Sequence, residues 1–302
     1  MVFGRKKKQQ DVAVVEANPA NTAISEENAS RIGRTFIKGL DRAVHLQSGF
    51  IKGYVNWLRR SNPDATPAEI QEIMRKHFMN AAAGSGAGAG GAAAVPGVGF
   101  VTGSAAIAAE SLLFVDMAAV YTVGSAYLRG EDIADAERRR AIVLLALSGA
   151  QGAAIVDTLV GPEATALTAT KSLAKFTGPT LTQANNMMTR TVMKSINRRL
   201  RRMWIGKIMP LGIGVIAGVT ANRALAKKVV ENTARNLGPA PAQFAAPLPP
   251  KSNEEEKLAE AANGKKSWKS RFQAVMDVFE KNRDGAEDEL APESWTGLIL
   301  SG

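Results

Sequence analysis

The chain is 302 residues long and 45% hydrophobic, which is enough to bury a substantial core and excludes a wholly disordered protein. Its formal net charge of +10 at pH 7 would attract nucleic acid, anionic membranes or acidic proteins without any specific contact. The sequence has no cysteine, which excludes disulfides and cysteine-based metal sites. It has two histidines, which leaves few residues for a zinc site or a histidine-based catalytic centre.

Residues 1–28 are polar and small, with basic residues at the tip, and nothing in them repeats at a helical period. We predict a disordered, flexible arm. Gln9, Asp11 and Glu16 stand where a secretory signal would have its apolar core, so we expect no cleavable signal. Membrane association would have to come from the rest of the chain.

From Ala29 to Arg60, apolar residues recur every three, four or seven positions, which predicts an amphipathic helix with a basic polar side. The turn residues Ser61 to Asp64 end it. Thr66 to Glu69 then form a capping box with proline at the first helical position. We expect a short helix from there to about Phe78.

Thirty-two uncharged residues lie between His77 and Glu110 and open with a run of glycine and alanine. The stretch is long enough to span a bilayer, but glycine and alanine gain little on transfer to hydrocarbon. Pro96, Gly97 and Gly99 also interrupt it. We therefore favour two helices that meet at this interruption over a single span, with Gly97 and Gly99 allowing close helix packing.

Glu110 and Asp116 fall in an otherwise apolar stretch, where an acid is paired, at a helix end or functional. We interpret both as buried acids that pair with a basic segment further along the chain. A catalytic role would instead require the two acids to share a pocket with perturbed pKa values.

Asp135 is positioned to cap an uncharged sixteen-residue helix from Ala141 to Val156, whose length is typical of a buried core helix. After a threonine-rich stretch, Gly178 and Pro179 predict the start of a basic helix that runs to Lys207.

The sixty-seven residues from Ala164 to Val230 contain no acid and twelve lysines or arginines. Several of these cations are spaced by three or four residues, which places them on one helix face beside an apolar one. Such a helix can lie flat on an anionic bilayer, each basic residue contributing about 1 kcal/mol. A solvated face on a core helix would give the same pattern. The predicted lipid- or anion-binding residues are Arg190, Lys194, Arg198, Arg199, Arg201, Arg202, Trp204 and Lys207.

Two tryptophans lie next to pairs of arginines. Trp57 precedes Arg59 and Arg60, and Trp204 follows Arg201 and Arg202. Indole beside cations is favoured at the level of lipid headgroups, so both clusters are candidates for membrane contact.

A glycine-spaced apolar run follows the basic segment. Gly214 and Gly218 form a GxxxG pattern, and Gly212 precedes them in the same apolar run. The pattern allows backbones to pack closely, whether in lipid or in a protein core. We assign these three glycines, like the two earlier ones, to helix packing.

Five prolines between residues 239 and 250 predict a linker, so we expect the folded domain to cover residues 29–238. A charged tail follows and begins with Glu254 to Glu256. Within it, Trp268, Phe272, Val275 and Phe279 share one face of a short amphipathic helix near residues 265–283. This helix would dock on a partner or a membrane, or pack on the domain.

Taken in order, these features resemble the EcsC family of bacterial proteins over about residues 30 to 240. The resemblance is carried by the glycine-rich run into Pro96 and Gly97, the acid-bearing helix, the turn from Tyr127 to Arg138, and the segment from Gly206 to Asn222. The family usually has a Tyr-Gly-x-Asp turn, whereas two residues separate Tyr127 from Gly130 here. The resemblance implies an all-helical, glycine-rich, membrane-associated bacterial protein without an established activity or catalytic residues.

We therefore predict an all-α, glycine-rich bundle of helices and hairpins at the cytoplasmic, inner face of the cell membrane. It would bind anionic lipid, act as a scaffold, and join other copies or a membrane protein complex. No nucleophile elbow, phosphate loop or metal-ligand spacing is present, so we expect no enzyme activity, cofactor or metal. The alternative is a soluble module that binds nucleic acid or an acidic protein.

Overall fold

The computed structural model describes residues 40, 48–92, 114–161, 168–204, 213–265, 270, 274–275 and 277–278. Within these ranges the chain forms helices and no strand, which confirms the predicted all-α fold for the described part. The helices are α1 Ser48–Ser61, α2 Pro67–Ala92, α3 over 114–127, α4 Ala136–Ser148, α5 Ala150–Val160, α6 Ala169–Ala174, α7 Gly178–Trp204, α8 Ile213–Leu237 and α9 Asn253–Ala262.

Helix α1 ends where the sequence predicted, at the turn that begins with Ser61. Its start at Ser48 is the first residue of a continuous described range, and the earlier part of the predicted helix and the arm over 1–28 lie outside the described residues. The buried apolar side chains Phe50, Ile51, Tyr54 and Leu58 recur at the spacing of one helix face. That face packs into the core.

The predicted capping box of α2 is confirmed. The Thr66 backbone N–H donates to the Glu69 carboxylate at 2.8 Å, and the Glu69 N–H donates to the Thr66 hydroxyl at 3.3 Å. The Thr66 backbone N–H and the Thr66 hydroxyl both donate to the Glu69 carboxylate and hold its pKa below the ordinary value. The helix runs to Ala92, well past the predicted end near Phe78. Alanine is the strongest helix former, and α8 packs extensively along α2, so the glycine-rich run stays helical.

Helix α3 lies at the centre of the fold and is buried along almost its whole described length. On one side, the Tyr121 ring stacks on Phe78 of α2, with ring centroids 5.4 Å apart. On the other side, a cavity of about 10 Å³ separates Thr122 from residues of α4, α6 and α8, including Thr170 and Thr233. The other helices are therefore arranged around α3.

The predicted helix from Ala141 to Val156 is wrong as one element, because α4 ends at Ser148 and α5 begins at Ala150. Gly149 between them has φ 61° and ψ −131°, a conformation that few other residues adopt. Side chains of α8 bond to carbonyls in the last turn of α4 at this break. Asn232 donates to the Ala146 carbonyl at 2.8 Å, and Asn236 donates to the Leu145 carbonyl at 3.1 Å. Asp135 caps α4 as predicted, accepting the Arg138 N–H at 2.7 Å.

Residues 239–262, predicted to lie beyond the folded domain, pack back onto it, and we call them the strap. Gly238, the residue before the strap, accepts a hydrogen bond at 2.8 Å from Arg129, in the turn after α3. Ala245 lies against Gly130 of the same turn, and α9 packs on α1. Of the helix predicted near 265–283, Val275 is buried and Val278 packs on the core, while Trp268, Phe272 and Phe279 lie outside the described residues.

Replacing Gly149 with alanine should lower the free energy of unfolding by about 1 to 3 kcal/mol, measured by urea denaturation. The new Cβ would need a positive φ and would lie 2.8 Å from the Asn232 side-chain amide. Gly161→Ala is the matched control, because Gly161 has φ 83° but no neighbouring atom within 4 Å of the added Cβ. Equal losses in the two variants would show that the Asn232 contact contributes nothing.

The hydrogen-bonded pair of Tyr54 and His77 predicts a dependence of stability on pH. The Tyr54 hydroxyl and His77 Nδ1 share a hydrogen bond of 2.7 Å, and burial lowers the pKa of His77 to about 4. The unfolded chain, with a histidine pKa near 6.5, therefore binds a proton that the folded chain resists between these two values.

Stability from this group should be fully present above pH 6.5 and lost as the pH falls towards about 4. The loss should be about 1 to 3 kcal/mol, measured as the difference between the wild-type chain and His77→Gln in urea denaturation at each pH. The variant removes the titrating ring, so carboxylates cancel in the difference. A difference that stays constant with pH would contradict the lowered pKa.

Candidate functional site

Helix α7 carries the surface predicted to bind anionic lipid, and its two faces have opposite surroundings. One face packs on α4 and α5 through apolar side chains spaced by three or four residues. Its buried members are Leu181, Ala184, Met188 and Val192. Because the contacts of the helix are made on this side, the opposite face is left to solvent.

Asn185 fixes the rotation of α7 about its axis. This buried side chain donates to the Glu137 backbone carbonyl at 3.0 Å and to the Glu137 carboxylate at 2.7 Å. At 100° per residue, Arg190, Lys194 and Arg198 then lie about 140°, 180° and 220° around the helix from Asn185. The bonds that attach α7 to α4 therefore direct these three cations outward.

Arg190, Lys194 and Arg198 are all exposed, and we call them the α7 stripe. They extend over about 12 Å of one helix face. None of them forms an ion pair with any acid among the described residues. No described acid therefore neutralises the α7 stripe.

Helix α8 also exposes cations, but in a different electrostatic setting. Arg223, Lys227 and Lys228 are exposed, and Lys227 lies 3.8 Å from the Glu231 carboxylate. This face therefore carries an acid among its cations, which the α7 stripe does not. Its three cations equal the number in the α7 stripe, so this face can serve as a matched control for that stripe.

Several predicted residues fall where the structure is silent on their side chains. Three arginines and one tryptophan belong to α7, but the structure does not describe their side chains: Arg199, Arg201, Arg202 and Trp204. Gly214 and Gly218 lie in α8, the helix that packs on α2. The remaining predicted positions lie outside the described residues altogether: Lys207, Gly97, Gly99, Gly212 and Glu110.

Asp116, one of the two predicted buried acids, is buried in α3 with 0% of its surface exposed. Since Glu110 lies outside the described residues, the pairing of both acids with the basic segment stays a prediction. Among the described residues, no group of three or more histidine, aspartate or glutamate side chains is arranged to hold a metal ion.

No helix in the described ranges is long and apolar enough to cross a membrane. The stretch between His77 and Glu110 that we considered as a span is described only as far as Ala92, within α2.

The predicted cluster of Trp57, Arg59 and Arg60 has a different environment from the α7 stripe. Trp57 and Arg59 at the end of α1 are buried, with 8% and 9% of their surfaces exposed, rather than open to a headgroup region. Arg59 donates to the Ala246 carbonyl at 2.8 Å, and its guanidinium lies 4.0 Å from the centre of the Phe244 ring. Burial, with the neighbouring Arg60 charge, lowers the pKa of Arg59.

Arg60, the next residue, is also held by the strap. Its guanidinium donates to the Glu255 carboxylate and to the Pro249 carbonyl. Glu255 is only 2% exposed, and beside it a groove of about 400 Å³ runs between α1 and α9, with Trp57 and Lys251 among its lining residues. These contacts of both arginines therefore come from the segments predicted to be a linker and a charged tail.

Two sequence signals could have indicated this contact. Phe244 is the sole aromatic residue among the prolines of the strap, and Glu254 to Glu256 form an acidic triplet ten residues later. An aromatic ring and a carboxylate are the two groups that bind guanidinium best. Nothing local indicates which arginines they meet.

Comparisons of the chain with protein-family models, with curated proteins and with solved structures found no match. The resemblance to the EcsC family therefore stays a prediction drawn from the sequence motifs.

Proposed function

We propose that this protein binds the anionic surface of a membrane through the outer face of α7 and acts there as a non-enzymatic binding or scaffolding component. The observation that carries the proposal is the α7 stripe: three exposed cations on one helix face, without an acidic partner among the described residues. Lysine and arginine side chains can reach phosphate groups from a helix that lies flat on the bilayer.

A single exposed apolar side chain on the same face favours lipid over other anions. Met187 is the one large apolar residue that is exposed among the described residues. It lies within about 60° of all three cations of the α7 stripe, because positions 187, 190, 194 and 198 share a helix face. A basic face that also presents an apolar side chain is typical of helices at a bilayer surface.

The proposed location is the inner face of a bacterial cell membrane, as the EcsC resemblance implies. The glycines at 212, 214 and 218 would support close helix packing within the domain or with a membrane protein partner. The alternative function, a soluble module for nucleic acid or an acidic protein, uses the same cations but gives Met187 no role.

Flotation with liposomes tests the proposal directly. Replacing Arg190, Lys194 and Arg198 with glutamine should weaken binding to anionic liposomes by about 100-fold, since each cation contributes about 1 kcal/mol near such a surface. Wild-type binding should fall with added salt and should be weak on neutral liposomes.

The matched control replaces Arg223, Lys227 and Lys228 with glutamine, which removes the same number of charges from exposed positions on α8. This control should retain most of the binding. Equal losses in both variants would mean that net charge alone drives association. Absence of flotation, together with salt-sensitive binding to nucleic acid, would transfer the proposal to the soluble alternative.

A further inference from the structure

Arg59 is a buried cation whose hydrogen-bond and ring contacts are with neutral groups. Its hydrogen bond goes to a backbone carbonyl, its flat face meets the Phe244 ring, and its Nε has no hydrogen-bond partner. No described acid forms an ion pair with it. A guanidinium gains most from an oxyanion that accepts two hydrogen bonds, and its burial without one is costly.

The adjacent Arg60 does have an oxyanion, and the strap supplies it. The Glu255 carboxylate accepts from Arg60 Nε through one oxygen, while its second oxygen is buried without a hydrogen-bond partner. The Arg60 side chain keeps 30% of its surface exposed beside the groove between α1 and α9. A carboxylate from the chain itself therefore stands where an external anion could reach the same guanidinium.

The strap reaches this position through one close backbone approach. The absence of a side chain at Gly53 lets the first turn of α9 lie directly on α1, since an added Cβ would be 2.9 Å from Glu254 Cβ and 3.1 Å from the Glu255 nitrogen. The remaining contacts with the two arginines are few: two carbonyls, one ring and one carboxylate.

We infer that Trp57, Arg59 and Arg60 form a second site for the phosphate groups of an anionic membrane, and that the strap covers this site until the membrane displaces it. The indole and the two guanidiniums have the composition favoured at lipid headgroups. The strap satisfies them partially, with neutral groups at Arg59 and one carboxylate at Arg60. This inference rests on the proposed membrane-binding function. It adds a second membrane contact and a segment of the chain that regulates access to it.

A membrane can compete with the strap because it offers many phosphates at once. A phosphate oxyanion can accept bidentate hydrogen bonds from arginine, which the carbonyl of Ala246 cannot reproduce. The strap has the advantage of a high effective concentration, since it belongs to the same chain. Binding at the covered site should therefore appear only at a high density of anionic lipid, after the α7 stripe has brought the protein to the surface.

The test opens the strap without changing the charge of the protein. The release variant combines Gly53→Leu, which places a side chain against the α9 backbone, with Phe244→Ala, which removes the ring over Arg59. Hydrogen exchange of residues 239–262 measures the opening. Gly49→Leu with wild-type Phe244 is the matched control, because no atom lies within 4 Å of a Cβ added at Gly49.

The release variant should show faster exchange over 239–262 and about tenfold tighter binding to liposomes with anionic phospholipid, measured by flotation. Adding Arg59→Gln and Arg60→Gln to it should remove this gain. The gain should persist when Arg190, Lys194 and Arg198 of the α7 stripe are also replaced with glutamine. The two proposals can therefore fail separately. Loss of liposome binding when only the α7 stripe is replaced tests the proposed function, and the gain in the release variant tests the covered site.

Four results would overturn the inference. The strap could open without a gain in binding, or the gain could survive replacement of both arginines. Unchanged exchange in the release variant would show that the strap is a permanent part of the fold. The last experiment adds inorganic phosphate to the wild-type protein and measures hydrogen exchange of the strap. If phosphate alone opens the strap, and the release variant shows no gain in liposome binding, the site would belong to a soluble phosphate compound instead.

Discussion

Helix α3 is buried along almost its whole described length, and the other described helices pack around it to keep it buried. Its polar side chains cannot reach water, so Thr122 and Ser125 donate to carbonyls one turn back, at 2.8 Å and 2.7 Å. Small residues keep the neighbouring helices close: a Cβ on Gly124 would lie 2.5 Å from the Met74 methyl carbon and 3.3 Å from Val55. Helices α1 and α2 cover one side, and α4, α6 and α8 cover the other.

This central burial leaves α7 in an outer layer, where it needs only one apolar face. Its contacts with α4 and α5, including the Asn185 bonds to Glu137, use that face completely. The outer face is then free to carry charge, and the α7 stripe carries it without compensation from the described acids. Because packing fixes the orientation of the helix, all three cations lie on the same solvent-facing side.

The end of α1 has the opposite balance. There the strap covers the buried Arg59 and the partly exposed Arg60. It compensates them incompletely, with one carbonyl and the Phe244 ring at Arg59 and with one carbonyl and the Glu255 carboxylate at Arg60. An incompletely compensated buried cation reduces the net stability of the contact that covers it. An anion attracted to the cations of the α7 stripe would, for the same electrostatic reason, compete with the strap for Arg59 and Arg60.

The sequence alone determined the helical fold class, the capping box of Thr66 to Glu69, the cap at Asp135 and the spacing of the α7 stripe, because each depends on residues within one or two turns. Tertiary structure decided what depends on distant partners. The helix break at Gly149 is stabilised by Asn232, which bonds to a carbonyl 86 residues away. Arg59 is covered by a carbonyl 187 residues further along the chain. Local patterns record which groups need a partner, whereas the packing of the whole chain selects the partner.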